Sequence, residues 1–60
     1  MRLGRYIGAN ELLKGETAAL LLGGAGTVLV QFDDKATGLG FGWHRHPESD
    51  WEIVDRYANS

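Results

Sequence analysis

The chain has 60 residues, no cysteine, eight acidic against six basic side chains, and 43% hydrophobic against 23% charged residues. That length holds one domain, residues 1–60, and its composition excludes a disordered chain, while the absent cysteines exclude disulfides and thiolate-bound zinc. A net charge of −2 argues against a dedicated nucleic-acid binder, which carries a basic excess to neutralise phosphates. Arg2 to Ile7 alternates and predicts a first strand over 2–7, broken at Gly8. Asn10-Glu11-Leu12-Leu13-Lys14-Gly15 predicts a short helical turn near 10–14. Asn10 is placed to cap free N–H groups, Glu11 suits the positive end, and Gly15 supplies a left-handed exit.

From Thr17 to Phe32 no residue is charged. The run is shorter than the roughly 20 residues a spanning helix needs, and glycines interrupt it. Strands are predicted instead over 16–22 and 27–32, joined by a turn at Gly23-Gly24-Ala25-Gly26. Period two places Val28, Val30 and Phe32 on one face, with Leu29 and Gln31 on the other. Asp33 and Asp34 stop the strand, Asp33 capping a turn, and a polar loop follows to Gly38. A fourth strand is predicted over 39–46, with Leu39, Phe41 and Trp43 facing one way and Gly40, Gly42 and His44 the other. Alternate glycines permit close backbone approach or sharp curvature. Pro47 ends the ladder, a one-turn 3-10 segment is predicted near 47–50, and a closing strand over 51–54. The fold expected is all-β: a single five-stranded small barrel.

This order resembles an SH3-like barrel, within the group holding KOW-type domains, the photosystem I subunit PsaE and the barrel half of nitrile hydratase. The residues carrying the resemblance are Lys14-Gly15-Glu16-Thr17, Gly26 to Asp33, Trp43 to Pro47 and Asp50 to Val54, so it covers roughly residues 14–55. It implies architecture and not activity, because this superfold hosts unrelated functions. The long arginine-rich loop of ribosomal RNA-binding relatives is absent. So is the aromatic-lined acidic loop that binds proline-rich peptides.

His44-Arg45-His46 places two imidazoles on one strand face, about 6.5–7 Å apart at Cα. With Glu48 or Asp50 they would make a zinc-type set; the competing reading puts both on a solvated outer face, and no metal or other cofactor is expected. The Gly23–Gly26 and Gly38–Gly42 segments lack the Gly-Lys-Ser/Thr and following helix of a phosphate loop. Ser49 and Ser60 are the only serines, no nucleophile–base arrangement assembles, and an enzyme is not expected.

Two tryptophans in so short a chain single out Tyr6, Phe41, Trp43, Arg45 and Trp51 as candidate binding residues, since exposed aromatics beside arginine form interaction hot spots. One tryptophan is expected in the core and the other at a groove. The leading expectation is a non-catalytic protein-interaction module, monomer or homodimer, in the cytoplasm; size alone suggests a phage or mobile-element protein acting on a host factor. The alternative is a nucleic-acid-associated barrel using Arg2, Arg5, Lys14 and Arg45. A histidine metal site ranks third.

Overall fold

The computed structural model describes residues 1–54. Its elements are β1 (Arg2–Tyr6), a 3-10 turn (Glu11–Leu13), β2 (Thr17–Gly24), β3 (Thr27–Asp33), β4 (Phe41–Pro47), a second 3-10 turn (Glu48–Asp50) and β5 (Trp51–Ile53). All five expected strands and both short turns form, so the fold is all-β. Residues 55–60 of the expected domain, Ser60 among them, lie outside the described residues.

The strands form one antiparallel sheet in the order β4-β3-β2-β1-β5. Among the described residues its ladder is open: β4 and β5 are edges, where a closed barrel would pair them. The sheet is nevertheless strongly curled. In a flat sheet β5 and β3 would lie three strand spacings apart, roughly 14 Å. The Trp51 ring on β5 instead sits 5.4 Å from the Phe32 ring on β3. The curl wraps a core of Tyr6, Leu13, Ala18, Leu20, Val28, Val30, Phe32 and Trp51. Gly4 is fitted to it, because a Cβ there would stand 2.5 Å from Leu20 Cδ1.

Local chemistry accounts for the connections. Asn10 Oδ1 accepts from the Leu12 N–H at 2.9 Å, capping the first turn, and its own N–H donates to the Tyr6 hydroxyl at 3.0 Å. The β2–β3 hairpin closes on Ala25 (φ 52) and Gly26 (φ 77), with Gly24 paired to Thr27. Two left-handed central residues make a type I′ turn, whose twist matches the flanking strands. Gly24 also has positive φ, and the register slips between Leu22 and Gly24, which leaves Gly23 as the extra residue of a bulge.

β4 starts two residues later than its alternation suggested. Gly38 (φ 73) and Gly40 (φ 85) are both left-handed, so Leu39 belongs to the loop and the ladder begins at Phe41. No backbone crowds Gly42, whose nearest neighbour to an added Cβ would be His44 Nε2 at 4.0 Å. Close backbone approach therefore does not explain that glycine.

Ala25 occupies a conformation that L-residues adopt at a cost. Ala25→Asn creates the Asn-Gly pair favoured in this turn and is expected to raise the unfolding free energy by up to about 1 kcal/mol. Urea denaturation monitored by tryptophan fluorescence checks it; an unchanged or lower midpoint counts against the turn assignment.

Candidate functional site

β4 delivers its side chains alternately to two different places. The register pairs Val28 with His46, Val30 with His44 and Phe32 with Gly42, so even-numbered β4 residues share the core face. Odd-numbered residues pair with the outer face of β3: Phe41 opposite Asp33, Trp43 opposite Gln31, Arg45 opposite Leu29. One strand thus feeds both an interior polar network and an exposed aromatic surface.

The interior network is a chain of hydrogen bonds. The Trp51 Nε1–H donates to His46 Nδ1 at 3.2 Å, and His46 Nε2 meets Asp34 Oδ2 at 2.8 Å. An indole only donates, so Nδ1 must accept; the proton sits on Nε2 and points at the carboxylate. Asp34 is 1% exposed and anchors the following loop as well. Its Oδ1 accepts from the Ala36 N–H, while its carbonyl accepts from the Thr37 and Gly38 N–H groups and the Thr37 hydroxyl. Edge-on ring contacts complete the packing, with His46 against Trp51 and Phe32, and Tyr6 against Trp51.

Burial alone would push the Asp34 carboxyl up. The hydrogen bonds from His46 and the Ala36 N–H outweigh that effect and hold it below its ordinary value. His44 lies one pair further along the same face. Its Nε2 donates to the Gly40 carbonyl at 2.9 Å, and its ring stands edge-on to Phe32.

These partners answer the question posed by the two histidines. The His46 side chain is 11% exposed, so the solvated-face reading does not describe it. Among the described residues no hydrogen bond joins either imidazole to Glu48 or Asp50, and no three His, Asp or Glu side chains are placed to hold a metal ion. An open cleft of ≈ 440 Å³ runs beside this network, lined by Tyr6, Asn10, Asp34, His44 and Asp50 among others. Every buried side-chain nitrogen or oxygen among the described residues already has a partner.

The five candidate binding residues divide between the two places. Trp51 (5% exposed) and Tyr6 (8%) are core residues, so neither is part of a surface group. Phe41, Trp43 and Arg45 share the outer face, with Phe41 71% and Trp43 41% exposed. The apolar character of this face continues inward: Leu29 is on β3 opposite Arg45, Leu21 on β2 opposite Leu29, and Leu3 on β1 opposite Ala19. Leu3 and Leu21 are both exposed. Leu3 and Leu21 were missed as surface candidates, although strand period marked them once Val28 and Val30 were placed inside. The Arg45 guanidinium donates to Thr27 Oγ1 at 3.0 Å.

The nucleic-acid alternative names Arg2, Arg5, Lys14 and Arg45. Arg5 is paired with Glu52 at 2.9 Å on β1, which β2 and β3 separate in the sheet from Arg45 on β4, and Arg2 falls on the opposite strand face from Arg5. No helix among the described residues is long and apolar enough to cross a membrane.

Because its folded-state carboxyl is depressed, Asp34 contributes stability that is fully present above the ordinary value of 3.8 and lost as pH falls through the depressed one. Asp34→Asn cannot accept from both His46 and Ala36 without turning its amide on one of them. The variant is expected to be about 1–3 kcal/mol less stable at pH 7, and the gap should narrow as pH falls below 3.8. Thermal melts from pH 7 to pH 2 measure this; a gap that does not change with pH contradicts the assignment. Comparison with protein-family models, with curated proteins and with solved structures finds no match for this chain.

Proposed function

We propose that the chain is a non-catalytic protein-interaction module built on an SH3-like small-barrel scaffold, binding through the outer face of β4 around Phe41, Trp43 and Arg45. One observation carries the reading: this face exposes an aromatic pair beside an arginine, and the apolar surface runs on across Leu29, Leu21 and Leu3. Soluble domains rarely leave a contiguous apolar patch uncovered unless it meets a partner. Tryptophan, flanked by arginine, is the side chain most enriched among energetic anchors.

Two features favour the SH3-like scaffold. β5 returns beside β1 at the end of an otherwise sequential meander, and a one-turn 3-10 segment precedes β5. The absence of cysteine agrees with a reducing location such as the cytoplasm. A non-catalytic role is supported by the engagement of the imidazoles, since both His46 nitrogens and His44 Nε2 are already committed to partners within the fold.

Affinity capture with the wild-type chain and with a Trp43→Ala/Arg45→Ala double variant tests this. Neither side chain contributes to the core, so the variant should keep its circular-dichroism spectrum. Its affinity for the captured partner should fall at least about tenfold. Binding held mainly by apolar contacts should also change little between low and moderate salt, unlike phosphate recognition. A folded double variant that binds equally well contradicts the proposal, as does a steep salt dependence.

A further inference from the structure

The ladder parity of β4 determines which of its backbone groups are free. In a regular antiparallel pair, hydrogen-bonded residues alternate with residues whose N–H and C=O point away. The Glu48 N–H donates to the Gly26 carbonyl at 2.8 Å, continuing the register in which Thr27 faces Pro47 and Val28 faces His46. Even-numbered β4 residues are therefore the ones bonded to β3. The same bookkeeping holds at the other end of the sheet: Tyr6 bonds to Glu16 across β1–β2, whereas Ile7 and Leu3 bond to Asp50 and Val54 across β1–β5. The N–H groups of Phe41, Trp43 and Arg45 thus point out of the β4 edge, together with their carbonyls and that of Pro47. Pro47 sits where its missing N–H costs no bond to β3.

An edge of seven residues with outward donors and acceptors is a template for a further strand, whereas β5, with three residues, is short in the way that blunts an edge. The side chains specify which strand fits. Two copies of β4 laid antiparallel about a twofold axis at His44 set Trp43 of each opposite Arg45 of the other, and Phe41 opposite Pro47. In that register the outward N–H groups of Phe41, Trp43 and Arg45 meet the carbonyls of Pro47, Arg45 and Trp43 of the second copy. The Arg45 guanidinium donates to Thr27 Oγ1 on the β3 side, so in the dimer it turns from that hydroxyl toward the indole opposite, a pairing that cation–π attraction favours. The arrangement is isologous and closes on itself, as a dimer requires.

We infer that the β4 edge is a homodimerisation site, in which a second copy of the chain pairs antiparallel with β4 and Trp43 of each copy packs on Arg45 of the other. This deepens the interaction reading by naming one partner. It leaves the Leu3 and Leu21 side of the outer face uncovered for another protein.

Sedimentation equilibrium on the full chain tests it, with a dimerisation constant expected between about 1 µM and 1 mM. Trp43→Arg sets guanidiniums opposite one another and should weaken the dimer about tenfold or more. The double variant Trp43→Arg/Arg45→Trp re-forms the same pairs in exchanged positions and should recover most of the loss. A wild-type chain that stays monomeric across that range overturns the inference, as does a dimer indifferent to Trp43→Arg. A double variant as weak as the single one overturns the register. Leu21→Ser separates this inference from the broader reading: it should leave the dimer intact while reducing capture of a foreign partner.

Discussion

The chain of donors from Trp51 through His46 to Asp34 is the constraint on which the arrangement of this small domain depends. An open five-stranded sheet has two edges and no ladder bond to hold them together. Here the last strand supplies an indole, the edge strand β4 an imidazole, and the β3–β4 loop a carboxylate, and the three are bonded in sequence. Because an indole cannot accept and a carboxylate cannot donate, the polarity of the chain has one solution, which fixes the imidazole tautomer. Buried networks of this kind stabilise only when complete, and losing one member strands the others without partners.

The same network explains how a seven-residue strand serves two purposes. With His46 committed inward, the two-residue period commits His44 inward and Phe41, Trp43 and Arg45 outward. The ladder parity that bonds His44 and His46 to β3 also turns the backbone of the outward residues toward the open edge. An exposed aromatic–arginine surface and a strand edge left unpaired among the described residues are therefore consequences of one register. A single-residue slip would exchange them all. This coupling places the proposed partner surface and the proposed self-pairing edge side by side on the same element.

Much of this is legible in the sequence. Alternation and β-branched content located the hairpin of β2 and β3, Asn10 and Gly15 bracketed the first turn, and the even-numbered core positions of β3 followed from period two. Other features were not, for physical reasons that can be named. Asp33 and Asp34 look alike as strand-ending acids, yet Asp33 is exposed and Asp34 is buried under three N–H donors from its own loop and an imidazole from β4. Only the spacing of Asp34 from Ala36, Thr37 and Gly38 hinted at its turn chemistry. Which tryptophan is interior could not be read from β5, because three residues are too few to show a period; the curl of the sheet decides it by bringing Trp51 over Phe32. The fate of the histidines was equally hidden, since their partners lie 12 residues upstream and five downstream of His46 or at the Gly40 carbonyl.

The most direct test of the account is the protonation pattern of His46 at neutral pH, read from ¹⁵N imidazole shifts and couplings. The network requires a neutral ring with the proton on Nε2 and an accepting Nδ1, together with a Trp51 indole proton protected from solvent exchange. A ring protonated on Nδ1, or a freely exchanging Trp51 indole, would show that the bond from β5 to β4 is absent and that something else holds the sheet in its curl.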